Sequence, residues 1–240
     1  MNERSTTTSQ ASASRSLIEA VCDALWSVRE PERAAGQQRY MKSAMPFMGV
    51  RIPVMRKTAR TAFDGDPPAS FDEWRAAILA LWHEATYREE RYAAIELAVH
   101  RPCARWLTME SVPLLEELVV DGAWWDYVDR IAPAGLGHVL AKEPDSMGAT
   151  MRAWARDENI WRRRAAILCQ LGRKRDMDLA LLYDCIGASA GHGEFFVQKA
   201  MGWALRDFSR TDPDEVRRYV AAMGPALPRL TQREALKHLG

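Results

Sequence analysis

The sequence predicts an all-α chain of stacked helix pairs, and three observations lead there. Apolar residues recur at helical spacing through most of the 240 residues. Almost no stretch alternates with the period of two that a strand requires. The breaks between periodic stretches are short and carry residues that start or stop helices.

Taken in order, residues 1–15 (MNERSTTTSQASASR) are polar and of low complexity, and a disordered tail is expected there. Periodicity begins near Leu17, where Leu17, Val21 and Leu25 form one stripe. Pro31 suits the first turn of a second helix running to about Ser43. Two prolines and a glycine between Met45 and Pro53 mark a structured loop. A third helix ends before Asp64-Gly65-Asp66-Pro67-Pro68, and Ser70-Phe71-Asp72-Glu73 has the spacing of a capping box. Amphipathic segments follow near 70–83, 87–100, 108–121, 124–141, 145–156, 159–171, 177–188, 194–209, 212–223 and 231–238. Asp212-Pro213-Asp214-Glu215 combines an N-cap with a first-turn proline, and Thr231-Gln232-Arg233-Glu234 reads as another capping box. Pairs of about 30–40 residues without one strict motif indicate degenerate HEAT-like repeats, with a compact bundle as the alternative. A HEAT-like solenoid has a concave wall wide enough for an extended partner. A single domain over 16–240 is expected.

Composition bounds the function. With 48% hydrophobic residues the chain can form a sizeable core without metals or disulfides. The net charge of +1 gives no general attraction to nucleic acid or membrane, so electrostatic function has to come from local asymmetry. Four scattered cysteines without a CxxC pair fit a reducing, cytoplasmic setting. No apolar run approaches the roughly 18 residues of a membrane span, and no secretory signal is expected. Phosphate-binding GxxxxGK[ST] and GxGxxG motifs are absent, so no nucleotide cofactor is expected. His83-Glu84-Ala85-Thr86-Tyr87 begins like a zinc-protease helix, but Tyr87 replaces its second histidine; no metal site is expected.

Residues 122–131 draw the most attention. On a helix, Trp125 and Asp129 share one face, while Trp124, Val128 and Ile131 share another, buried one. An indole beside a carboxylate suits a groove that receives something cationic. The plainer alternative makes Trp125 core and Asp129 an exposed or capping residue. Local charge adds to the first reading. Residues 33–60 hold Arg33, Arg39, Lys42, Arg51, Arg56, Lys57 and Arg60 with no acid, and residues 152–175 form a second basic run. Two such runs in a nearly neutral chain imply charge segregation of the kind a phosphate backbone requires. Arg164 aligns with Ile160, Ile167 and Leu171, so it needs an anion, within the protein or bound to it. Phe196, Lys199, Trp203 and Arg206 fall along one helix side; this is either a nucleic-acid groove or plain packing with snorkelling cations.

Four blocks in order then resemble the AlkD-like DNA alkylation repair glycosylases, a HEAT-like repeat family, over the chain from about residue 20. They are Arg39-Tyr40-Met41-Lys42 with Met45-Pro46-Phe47-Met48-Gly49-Val50, then Trp124-Trp125-Asp126-Tyr127-Val128-Asp129. Residues 159–167 (NIWRRRAAI) and 195–206 (FFVQKAMGWALR) complete the set. The resemblance implies excision of cationic N3- and N7-alkylated purines from double-stranded DNA held in the concave groove, by a monomer without cofactor and without base flipping. It implies a catalytic carboxylate at Asp129 flanked by Trp125 and Trp203, and a backbone contact from Arg164. Tyr40, Phe195 and Phe196 match residues near the lesion, and Lys42, Lys199 and Arg206 are read as further DNA contacts. A basic residue of some members falls near Gly172 here, where Arg173 or Lys174 would have to replace it. Other functions for such a chain are a non-catalytic DNA-binding repeat protein and a protein-binding scaffold. Both tryptophans together with Asp129 favour the enzyme.

Overall fold

The computed structural model describes residues 3–239, with side chains from 15 onward. Among these residues every regular element is helical. The chain divides into two compact units, Met1–Trp106 and Leu107–Gly240, where the sequence suggests one domain over 16–240.

The first unit contains α1 (Glu3–Ser27), α2 (Pro31–Met41), α3 (Ile52–Gly65), α4 (Phe71–His83) and α5 (Arg88–Ala98). The disordered tail expected at 1–15 lies almost wholly outside the residues with described side chains, and the backbone is helical from Glu3. The predicted stripe of Leu17, Val21 and Leu25 is fully buried, and α1 packs against α3 and α4. Pro31 and Pro53 stand in first turns, where a missing N–H costs nothing. Ser70 caps α4 by accepting from the Glu73 N–H at 3.2 Å. The Glu73 carboxylate takes the Ala69 N–H instead of closing a reciprocal box. Because α4 ends at His83 and α5 starts at Arg88, the zinc-protease spacing does not lie on one helix.

Helix α5 is buried along its length, including Arg88, Glu89, Glu90 and Glu96. Each charge has a structural use, as burial requires. Glu89 accepts from the backbone N–H groups of Met48, Gly49 and Val50 at 2.9, 2.9 and 3.1 Å. The Arg88 N–H donates to the Pro46 carbonyl at 2.9 Å and its guanidinium to Ser43 Oγ at 3.2 Å. The loop after α2 is thus fastened to α5 from both sides. Gly49 is required there: its φ is +91°, and a Cβ would lie 1.9 Å from the Glu30 carbonyl oxygen. Glu96 sits between Arg56 and Arg60 at 2.8 and 2.9 Å.

The second unit opens with α6 (Val112–Gly122) and α7 (Trp125–Ile131), followed by a π-helical turn at Ala132–Leu136 and α8 (Gly137–Lys142). The amphipathic segment read over 124–141 is thus one continuous helical run from Trp125 to Lys142, widened to a π turn at Pro133, which has no N–H to give. Then come α9 (Pro144–Trp154), α10 (Ile160–Leu168), α11 (Leu179–Ser189), α12 (Phe195–Phe208), α13 (Pro213–Met223) and α14 (Arg229–Ala235). Helix α10 lies at the centre, packed against α6, α7, α9, α11 and α12. Consecutive helices pack on one another, α6 on α7 and α8 on α9, as in a chain of helical repeats. Asp212 caps α13 by accepting from the Glu215 N–H at 2.9 Å. The capping box read at Thr231 is corrected: α14 begins at Arg229, and Thr231 is buried inside it, its hydroxyl donating to the Gln198 carbonyl at 3.0 Å.

Candidate active site

Val128 and Ile131 anchor α7 in the core, which leaves Trp125 and Asp129 on a half-buried flank. Trp124 is the N-cap residue and only partly buried, so the buried stripe read from the sequence is formed by Tyr127, Val128 and Ile131. The Asp129 side chain keeps 14% of its surface, whereas Arg164 on α10 keeps 5%. Arg164 donates from Nε to Asp129 Oδ1 at 2.7 Å and from Nη2 to Oδ2 at 2.9 Å. Its Nη1 donates to the Phe196 carbonyl in the first turn of α12, at 2.6 Å. One buried guanidinium therefore ties α7 to α12 and fixes the plane of the carboxylate. Burial pushes the Asp129 carboxyl above its ordinary value, the Arg164 hydrogen bonds and charge pull it down, and nearby Asp126 adds a smaller upward push.

Aromatic rings surround this joint. Trp124, Trp161 and Phe196 pack together, with centroids 6.1 Å apart for the indole pair and 5.4 and 5.1 Å from each indole to Phe196. Phe195 meets Phe196 edge-on at 5.5 Å and is exposed over 56% of its surface. The cluster grades from core to solvent along the start of α12. Trp203, further along that helix, is half-buried like Trp125 on α7.

The other sequence candidates separate into groups. Lys199 and Arg206 both bind Glu234 of α14, at 3.0 and 2.5 Å. These cations hold the Glu234 carboxyl below the usual carboxylate range, the Lys199 hydrogen bond contributing most. The sequence reading assigned Glu234 to a capping box and so missed this clamp. Tyr40 and Lys42 belong to the first unit, at the end of α2; Tyr40 is 76% exposed and Lys42 is a left-handed cap with φ of 50°.

Much of the basic runs has internal partners. Arg33 and Arg51 pair with Glu30, and Arg56 and Arg60 with Glu96. Arg152 pairs with Asp184, and Arg162 with Glu116 and Asp157. Arg163 spends its donors on the carbonyls of Ala155, Arg156, Asp157 and Ala188, stapling the turn before α10 to α11.

Residues 21–239 match the family model described as DNA alkylation repair enzyme. Among solved structures the chain is similar to one described as a predicted DNA alkylation repair enzyme from Enterococcus faecalis. The two share 30% identity at a TM-score of 0.79, over 88% of this chain and 97% of that one. A search of curated proteins gives no match.

Proposed function

Because the chain belongs to the DNA alkylation repair enzyme family, its role is in the repair of alkylated DNA, and we propose that it acts as a glycosylase. Its substrates on this reading are N3- and N7-alkylated purines in duplex DNA, and Asp129 is the catalytic carboxylate. The reading rests on one observation: a carboxylate largely removed from water, with both oxygens oriented by a buried arginine, on the same helix as a half-buried indole.

The chemistry matches that arrangement. Alkylation at N3 or N7 leaves the purine positively charged, so it can depart as a neutral base with the glycosidic bonding pair. The sugar that remains is an oxocarbenium-like cation, as in glycoside hydrolysis. A fixed carboxylate stabilises that cation, and each Oδ retains a lone pair beyond the one engaged by Arg164. Water then adds at the sugar carbon and its proton passes to Asp129 or to solvent, leaving an abasic site. The indole faces of Trp125 and Trp203 attract the cationic base and sugar. Since the lesion supplies its own leaving-group activation, a pocket for a flipped base is not needed, and the protein works as a monomer without cofactor. Phe195 and Tyr40 offer exposed rings to the DNA. Arg164 acts here as a positioning residue, its donors being committed to Asp129 and Phe196. The paired Lys199 and Arg206 reach DNA only through exchange with Glu234.

The test is release of free base from a duplex containing N7-methylguanine, followed by chromatography. Wild-type protein is expected to release the base. Asp129→Asn should slow release by about a hundredfold or more while duplex affinity is kept. Equal rates in the two proteins would refute the mechanism, and no release by wild type would leave a DNA-binding protein without excision.

A further inference from the structure

Trp203 stands on α12 between two cations. Lys199 comes four residues before it and Arg206 three residues after, so both lie within about 60° of it around the helix. Side chains at these spacings reach one another, and an indole face attracts a cation. Three other tryptophans of this protein carry such a contact. The guanidinium carbons of Arg29, Arg91 and Arg105 lie 4.2, 4.6 and 4.3 Å from the ring centres of Trp26, Trp82 and Trp106. Arg29 follows Trp26 by three residues, the separation of Arg206 from Trp203, and among the described residues it pairs with no carboxylate. Among the same residues no cation covers Trp203.

The difference lies in Glu234. Its carboxylate takes Lys199 at 3.0 Å and Arg206 at 2.5 Å. Around α12 both cations fall between Trp203 and Gly202, the position that receives α14, so this pairing draws them toward α14 and away from the indole. The seat of α14 has supports of its own. These are the close approach at Gly202 and the Thr231 hydroxyl, which donates to the Gln198 carbonyl at 3.0 Å. Removing the charge of Glu234 therefore leaves two cations without their anion beside an indole, with α14 still seated.

We propose that Glu234 is a positioning residue for the reaction: it holds Lys199 and Arg206 off the Trp203 indole and keeps that face open to a cationic purine. The proposal rests on the repair reading above, in which Trp203 meets the charged base and sugar. A lysine or arginine over the ring has two effects. It occupies the π-face, and its charge repels the lesion. Glu234 thus acts on the acceptance of charged bases while touching neither base nor sugar.

The experiment uses the full chain labelled with 5-fluorotryptophan, as wild type, as Glu234→Gln, and as a Glu234→Gln, Lys199→Gln, Arg206→Gln variant. The fluorine resonance missing from Trp203→Phe assigns Trp203. Without DNA, that resonance should move in Glu234→Gln and return toward its wild-type position in the triple variant. Release of N7-methylguanine is then measured at single turnover with protein in saturating excess, which removes differences in affinity. Glu234→Gln should be about tenfold slower than wild type. The triple variant should recover most of that loss, although it carries two further substitutions. A purely structural Glu234 predicts a triple variant as slow as the single one or slower, and that result overturns the proposal. A Trp203 resonance that stays in place in Glu234→Gln overturns it as well. Glu234→Asp, one methylene shorter, should move the resonance in the same direction by less, and it replaces Glu234→Gln where circular dichroism shows that variant unfolded. Absence of base release by wild type is the failure of the repair reading, and the fluorine resonance then decides separately where the two cations lie.

Discussion

Asp129 and Arg164, 35 residues apart in sequence, meet through two parallel hydrogen bonds of 2.7 and 2.9 Å, with the guanidinium almost fully buried. Arg164 is what keeps the Asp129 carboxyl from rising further under burial. Arg164→Gln should therefore move the acidic limb of the excision rate to higher pH, so raising the pH restores part of the lost activity. It should also cost about 3 kcal/mol, since a buried charge loses its partner. Single-turnover base release across pH checks the first effect and urea unfolding the second. An unmoved limb would mean that Arg164 does not act through Asp129.

Glu234 ties α14 to Lys199 and Arg206 of α12. Its folded-state value lies below the ordinary 4.5, so its contribution to stability is present above that pH and is lost as pH falls through the lower folded value. Glu234→Gln should destabilise the protein by about 1–2 kcal/mol at pH 7. The gap from wild type should close in strongly acidic solution. Urea midpoints at several pH values follow this.

Gly202 allows α12 and α14 to approach closely. A Cβ there would lie 2.5 Å from the Glu234 Cβ and 2.9 Å from the Thr231 carbonyl oxygen. Gly202→Ala should cost about 1–3 kcal/mol, because α14 has to shift. Thermal unfolding tests it, and an unchanged midpoint would show that α14 yields freely.

Glu89 fastens the loop that follows Tyr40 and Lys42. Burial pushes its carboxyl up and the three loop N–H groups pull it down. Glu89→Ala should cost about 3 kcal/mol through orphaned buried donors. Amide exchange at Met48, Gly49 and Val50 should quicken more than elsewhere in the first unit.

How far the sequence leads depends on the range over which each signal acts. Pro31, Ser70 and Asp212 act on the next turn, so the starts of α2, α4 and α13 could be read directly. The pairing of Trp125 with Asp129 on one flank was equally local. Partners across helices were not readable. Periodicity showed that Arg164 needs an anion, but only packing of α10 against α7 shows that the anion is Asp129. Likewise Arg56 and Arg60 looked free because Glu96 lies 40 and 36 residues away. Thr231 had the right neighbours for a cap, and the earlier start of α14 overrode them.

The π-helical turn at Ala132–Leu136 has a consequence for deletions and insertions. It holds one residue more than an α turn would, and Pro133, which has no N–H to give the Asp129 carbonyl four residues back, is the one whose removal leaves an uninterrupted α-helix. Loss of any other residue, with the π turn kept, would rotate everything from Gly137 onward by about 100° and draw it back by about 1.5 Å. Gly137, where even a methyl group would lie 2.2 Å from the Cys169 carbonyl oxygen, would give up that contact to a bulkier neighbour. This turn can tolerate changes of side chain more readily than a change of length.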